Sequence, residues 1–283
     1  MSTTESHATS NSTATAPLQL QLQTERMQAH IDDGVGWMIF NNPARHNALS
    51  LEMWQGIGDI LAHFDSHPEV RVIVMRGAGG KAFVSGADIS EFDAQRANSE
   101  QKEAYGKIAG RANQWLAKCT KPLIALIEGY CIGGGLATAL AADVRMATPD
   151  STFGIPAARL GLGYEYEGLA KLARIVGPSN ARDIMFSARF MPAAEALQMG
   201  LINFVESRED IDTACLAYAR RIAGNAPLTV QAAKAAVNTW ERGGLQEEIA
   251  EVRRQVDACF DSEDYKEGRA AFAAKRPPQF RGS

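Results

Sequence analysis

Over residues 18–40 apolar and polar positions alternate in two short stretches, interrupted by Asp32-Asp33-Gly34. A period of two broken by a turn of this composition predicts a hairpin of half-buried strands. Past Asn41-Asn42-Pro43 the period lengthens, and Met53, Trp54, Ile57, Ile60, Leu61 and Phe64 fall on one face of a helix. Ser50 can cap that helix and His67-Pro68 ends it. Residues 70–75 and 123–127 are continuous apolar runs of the length of buried strands. Between them a helix over 100–119 lines up Tyr105, Ile108, Ala112, Trp115 and Cys119 along one stripe. Strand, helix and strand in this order predict a parallel α/β arrangement.

Further on, short strands are predicted near 144–147 and 151–153, followed by a loop over 154–168 in which glycine and aromatic residues crowd together, as in loops that line pockets. Helices follow near 169–176, 181–186 and 193–199, and residues 201–205 return to the sheet. From Arg208 onward the pattern is helical, over 216–223, 228–240 and 245–260, with Leu245, Ile249, Val252, Val256 and Phe260 on one face. Such apolar faces exceed what one subunit can cover, which predicts a homo-oligomer. The chain therefore divides into a disordered tail over 1–17, rich in Ser, Thr and Ala, an α/β core over 18–205 and a helical region over 206–283.

Composition narrows the function. The 283 residues are 46% hydrophobic, enough for a sizeable core, and carry a net charge of −4, which gives no general attraction to nucleic acid. Cys119, Cys131, Cys215 and Cys259 form no CxxC pair and no metal-type spacing with the five histidines, so reduced thiols in a cytoplasmic protein and no metal site are expected. His63 and His67 read as surface residues without a ligand role. The amino-terminal segment lacks an apolar signal core and its first arginine is Arg26, which argues against a targeting peptide. Glu128 and the glycines after it interrupt the run that follows Pro122, so no membrane span is expected.

Candidate chemistry centres on that run. Leu123 to Ile127 ends at Gly129, and Gly133-Gly134-Gly135 then opens an alanine-rich helix. Free N–H groups at a helix start favour a negative oxygen, and glycines let it come close. The spacing is neither G-x-G-x-x-G nor a P-loop, so an oxyanion site competes with close strand-to-helix packing alone.

Four segments together decide between them: Asn42-Pro43-Ala44-Arg45-His46-Asn47-Ala48-Leu49, Lys81-Ala82-Phe83-Val84-Ser85-Gly86-Ala87-Asp88, Glu128-Gly129-Tyr130-Cys131-Ile132-Gly133-Gly134-Gly135, and a tail running from Ser262 through Phe272 and Lys275 to Phe280. In this order they resemble the crotonase superfamily, the enoyl-CoA hydratase/isomerase group. The resemblance implies an α/β spiral of ββα units in two sheets, with a carboxy-terminal helical region that builds trimers or dimers of trimers. It implies an acyl-CoA substrate, with coenzyme A part of that substrate and no separate cofactor, and an enolate held by the backbone N–H groups of Ala87 and Gly134 beside Gly133. The CoA moiety would lie along Ala44, Arg45 and His46 and along Ser85, Ala87, Asp88 and Ile89, with Phe272 and Lys275 completing its pocket from the same or a neighbouring subunit.

Hydratases of this group use two glutamates, at positions that here hold Ala137 and Ala157. Alanine can neither accept nor donate a proton, so ordinary two-glutamate hydration is not expected. Tyr164-Glu165-Tyr166-Glu167 lies just downstream: in an extended loop both acids or both tyrosines would face one side, whereas a helical turn would separate each pair. Three readings stay open. Glu165 or Glu167 can take over acid/base duty in a hydratase, isomerase or related lyase. Leu162-Gly163-Tyr164 with Gly168 is similar to methylmalonyl-CoA decarboxylases, in which a tyrosine orients the carboxylate and no base is needed. A nucleophilic variant resembling 4-chlorobenzoyl-CoA dehalogenase would use Glu165 but lacks a histidine over 92–121. The third reading is an acyl-CoA-binding protein without catalysis. Arg111 and Arg159 are candidates to pair with a substrate carboxylate or to form structural ion pairs.

Overall fold

A computed structural model describes residues 18–88 and 99–283; the predicted tail, and Ile89 among the site residues, lie outside this range. The hairpin forms as expected. Strand β1 (Leu18–Gln19) pairs with β2 (Met27–Asp32), which pairs antiparallel with β3 (Val35–Phe40). Asp33 and Gly34 both take positive φ, the backbone that matches the twist of a two-residue hairpin. Ser50 caps α1 (Leu51–Ser66) by accepting from the Met53 N–H, and all six apolar residues named for its face are buried.

The first sheet continues in parallel through β4 (Val72–Gly77), β6 (Leu123–Ile127), β8 (Val144–Ala147) and the short β11 (Phe204–Val205). Its parallel strands are apolar on both sides because both sides are covered. Ile73, Met75, Leu123 and Ala125 face the main core, with α1 and α2 (Ser99–Lys118). Val72, Val74, Ile124 and Leu126 face α6 (Ile211–Ala223) through Ile211, Cys215 and Ala219. The first helix of the expected helical region is thus the cover of the sheet's second face.

A second sheet is made of very short strands: β5 (Ala82–Val84), β7 (Tyr130–Ile132), β9 (Thr152–Gly154) and β10 (Met191–Pro192), in the order β10-β9-β7-β5. Each of β5, β7 and β9 follows a strand of the first sheet, which is the repeated strand–strand–helix winding expected of the chain. Three residues are too few for a period of two to show, so the sequence marks only their glycine-bearing turns. Predicted boundaries shift for the same reason: the strand expected at 70–75 starts at Val72, and that expected at 151–153 is Thr152–Gly154.

Helix α3 (Gly134–Leu140) follows β7, and α4 (Tyr166–Ser187) joins the two helices expected near 169–176 and 181–186 across a break at Gly177-Pro178. Gly177 there has φ +80°, and Pro178 supplies a fixed φ with no N–H to satisfy. Helix α5 (Ala193–Gln198) precedes β11. The carboxy-terminal part adds α7 (Pro227–Glu241), α8 (Gln246–Asp261) and α9 (Glu263–Ala273), the last unassigned from the sequence. No residue of α8 is buried within one chain, and Trp240, Leu245 and Phe260 stand well exposed beside it. Among the described residues no helix is long and apolar enough to cross a membrane.

Lys121 joins these layers at the strand ends remote from the glycine turns. Its buried ammonium donates to the Phe64 carbonyl at 2.7 Å and the His67 carbonyl at 2.5 Å, closing the carboxy-terminal end of α1, while its own carbonyl accepts from Lys234 of α7. Each of these carbonyls also accepts one backbone N–H, from His67 and Val70 respectively, so the ammonium adds a second, charged donor at the helix end. Replacing Lys121 by Met removes both charged donations, and we expect a stability loss of about 1–3 kcal/mol, read as a lower urea midpoint.

Candidate active site

The site is built where β7 turns into α3. Gly133 takes φ +54° and ψ −117°, a conformation barred to residues with a Cβ, and its N–H donates to the Gly154 carbonyl at 2.8 Å. This bend aims the first turn of α3 at the neighbouring β5 segment. Gly135 touches it directly: a Cβ there would lie 2.0 Å from the Val84 carbonyl oxygen. A Cβ on Gly134 would stand 3.7 Å from the Ala87 backbone nitrogen. The peptides of residues 87 and 134, far apart in sequence, are therefore neighbours.

Ala87 is held by a bridge to Leu49. Leu49 donates to the Gly86 carbonyl at 2.8 Å and accepts from the Asp88 N–H at 2.9 Å, so the groups on both sides of Ala87 are used while its own N–H is not. Gly134 is the first residue of α3, and its N–H has no intrahelical partner. Among the described residues neither N–H meets an acceptor. Two unpaired donors side by side, one backed by a helix start, form a place where a carbonyl oxygen gaining negative charge would be stabilised.

The segment over 42–48 lies against this place. Pro43–Arg45 forms a short 3-10 turn with Ala44 and Arg45 exposed, and His46 closes it in the left-handed region. The Ser85 N–H donates to the His46 carbonyl at 3.1 Å, and the His46 ring meets Tyr130 edge-on with centroids 5.9 Å apart. Ala44, Arg45, His46 and Ser85 are thus brought to one rim, and Asp88 is buried beyond it.

Ala157 is buried on a 3-10 turn over Pro156–Leu160, and Ala137 is half-buried one helical turn after Gly133. The Leu162 N–H returns to the Ala157 carbonyl at 3.0 Å, and the chain runs without regular structure to Glu165, itself extended, before α4 begins at Tyr166. The four candidate side chains are divided by this change. Tyr164 packs half-buried on the main core, and burial pushes its phenol above the ordinary value. Glu165, Tyr166 and Glu167 are exposed, Tyr166 by 75%.

A sequence profile of the enoyl-CoA hydratase/isomerase family matches residues 30–283. A short-chain-enoyl-CoA hydratase of Clostridium acetobutylicum is 31% identical over 242 residues, 86% of this chain and 92% of that protein. A crotonyl-CoA hydratase of Syntrophomonas wolfei is 32% identical over 247 residues, 86% of this chain and 93% of its own length. A crystal structure of an enoyl-CoA hydratase/carnithine racemase from Magnetospirillum magneticum superposes with a TM-score of 0.86 at 35% identity, covering 94% of this chain and 98% of that one. The chain belongs to the enoyl-CoA hydratase/isomerase family.

Phe272 is 87% exposed, and Lys275 follows α9, which packs on α8. The tail beyond them folds back to Arg71 at the start of β4, where Arg71 donates to the Arg281 carbonyl at 3.2 Å. That is the opposite end of the strand from Gly77 and the loop to Ala87. Arg111 pairs with Asp59 at 2.7 Å, and Arg159 lies over the Phe190 ring. Among the described residues no group of three or more metal-ligating side chains is found.

Two outcomes test this geometry. Gly135→Ala places a methyl group onto the Val84 carbonyl, a rigid backbone contact, and the variant is expected to lose most of its thermal stability or to fail to fold. Tyr164, whose folded-state pKa is raised, keeps its proton at pH values where the unfolded chain has lost it, so its contribution to stability falls as pH rises through 10. In an absorbance titration the difference between wild type and Tyr164→Phe is expected to be a phenolate transition above that pH.

Proposed function

We propose that this protein is an acyl-CoA enzyme of lyase or isomerase type whose reaction passes through a thioester enolate, held by the N–H groups of Ala87 and Gly134. The observation that carries the reading is the adjacency of these two peptides, each with an unused donor, in a chain of this family. Donors fixed before the reaction stabilise a developing oxyanion without reorganisation, and one such donor is worth roughly 10²–10³ in rate. The relatives named as hydratases of short-chain enoyl- and crotonyl-CoA support enoyl thioesters as a first substrate class. Coenzyme A is then the handle of the substrate, laid along Ala44–His46, Ser85 and Asp88. The exposed Trp240, Leu245 and Phe260 support association between subunits, and the proposed assembly is a homotrimer or dimer of trimers, in the cytoplasm, in which Phe272 and Lys275 reach a neighbour's site.

A second reading within the same chemistry is favoured by a specific observation: Tyr164 is turned inward and Glu165 and Glu167 outward. Loss of CO₂ from a 2-carboxyacyl-CoA breaks the bond from the α-carbon to the carboxylate and sends its electron pair into the thioester carbonyl. Water returns a proton to the α-carbon afterwards. No protein base is required, so alanines at 137 and 157 are no obstacle, and the neutral Tyr164 phenol would donate a hydrogen bond to the departing carboxylate.

One experiment separates the readings. Incubation with enoyl-, malonyl- and methylmalonyl-CoA is followed by mass spectrometry for wild type, Tyr164→Phe and the double variant Glu165→Gln/Glu167→Gln. Gain of water that is lost in the double variant supports hydration. Loss of CO₂ that falls in Tyr164→Phe and persists in the double variant supports decarboxylation. Tight CoA-thioester binding with no change of mass, and with no shift of the enoyl double bond in the ultraviolet spectrum, would remove the enzymatic reading and leave a binding protein.

A further inference from the structure

Asn47 belongs to neither reading, although it is fully buried beside the site. It follows His46 in the left-handed region, with φ of +50° and +56° at the two residues, an arrangement that non-glycine residues adopt only when their surroundings hold it. Backbone bonds within the turn and the Asn47 side chain hold it together. The Asn47 Oδ1 accepts from the Asn42 N–H at 2.8 Å, and its Nδ2 donates to the Ala82 carbonyl at 2.7 Å and the Ala78 carbonyl at 3.0 Å. One amide thus satisfies groups on the 42–48 segment and on both sides of the turn between β4 and β5.

The position of these bonds gives them a consequence at Ala87. Asn47 fixes Ala82, where the segment over 82–88 begins. Two residues after Asn47, Leu49 fixes Gly86 and Asp88, where it ends. Between them the His46 carbonyl accepts from Ser85. The whole path to the Ala87 donor is therefore clamped by one short turn; backbone bonds such as Asn47 N–H to the Asn42 carbonyl at 2.8 Å shape that turn, and the Asn47 amide is the side chain that ties it to the residues around Ala78 and Ala82. The same turn carries Ala44, Arg45 and His46.

We infer that Asn47 is a positioning residue: its buried side-chain amide sets the orientation of the Ala87 N–H against Gly134, joining the CoA-side segment to the oxygen-binding site. This rests on the enolate reading above. Aspartate would keep the acceptor but lose both donations and face two carbonyl oxygens with a negative charge. Glycine would keep the left-handed backbone without strain while removing all three side-chain bonds.

The test uses acetoacetyl-CoA, whose methylene between two carbonyls ionises to an enolate by giving its proton to the buffer, and free CoA as a second probe. Near-ultraviolet absorbance reads the bound enolate, and fluorescence or calorimetry reads CoA affinity, for wild type, Asn47→Gly and Asn47→Asp. We expect wild type to favour the bound enolate and both variants to lose about 10²-fold of that preference, since a displacement near 1 Å costs on this order, with a smaller loss of CoA affinity. Folded variants that enolise as wild type does would overturn the role of Asn47, and so would a loss no greater than the loss in CoA affinity. Wild type that binds CoA but never favours the enolate would overturn the enolate reading itself, and Asn47 with it. Because Asn47→Gly is free of backbone strain and Asn47→Asp is isosteric, the comparison survives if one of them does not fold.

Discussion

The architecture depends on peptide groups packing against peptide groups with no side chain between them. At Gly77, Gly129 and Gly135 a Cβ would fall 2.0 Å from the carbonyl oxygens of Ala82, Lys81 and Val84 respectively, closer than any relaxation could accommodate. These three contacts let β4 pass into β5, β6 into β7, and α3 start against β5, in successive layers. Close packing of this kind would be costly if it stranded polar groups, and most are paired: Tyr130 donates to Lys81, Thr152 to Gly129 and Gly133 to Gly154. Unpaired donors in such a setting call for an explanation, and the Ala87 and Gly134 N–H groups, which meet no acceptor among the described residues, are adjacent.

Charge braces the other side of the same turns. Glu128, buried at the end of β6, accepts from Arg76 at 3.0 Å and from Arg208 at 3.1 Å, and Arg208 also reaches the Gly80 carbonyl and Asp150. Arg208 holds the Asp150 carboxyl below its ordinary range. A buried carboxylate between two guanidinium groups is satisfied rather than strongly stabilising, because desolvation offsets much of the attraction. Its value is geometric, since it ties the Gly80 and Gly129 turns to one point while Asn47 and Leu49 tie the opposite flank.

How much of this could be read from the chain follows from the range over which each signal acts. Strands of five or six apolar residues, the Ser50 cap and the glycine-opened helix announce themselves, because the physics that forms them is local. The second sheet does not, since Ala82–Val84 and Tyr130–Ile132 are extended by pairing with each other and, for the latter, with Thr152–Gly154. The role of α6 as a sheet cover was hidden for a related reason: Ile211, Cys215 and Ala219 gain meaning only against Val72, Val74 and Leu126 on the other side. Of the site, the glycines and the ordered motifs were legible. Asn47 stood within one of those motifs and was not singled out there. The side chain's three partners lie at residues 42, 78 and 82, and no local pattern joins the last two to it.

The direction of Tyr164 shows how backbone alone can choose between chemistries. The chain is extended at Glu165 and helical from Tyr166, so the two tyrosines lose the shared side they would have in a strand. The aromatic body of Tyr164 gains from the apolar core, while a carboxylate in the same place would be desolvated without a partner, and Glu165 turns to solvent. On the proposed enolate reading the separation has a chemical meaning. Stabilising the oxyanion is assigned to main-chain groups that no side-chain substitution can remove, whereas moving protons is assigned to side chains that can be exchanged for alanine without disturbing the fold. A site organised this way can give up acid/base groups and keep every reaction whose enolate arises by breaking a bond to carbon, provided a neutral donor is in place to guide the leaving group. The half-buried phenol of Tyr164, held protonated by its apolar surroundings, has the properties such a donor needs.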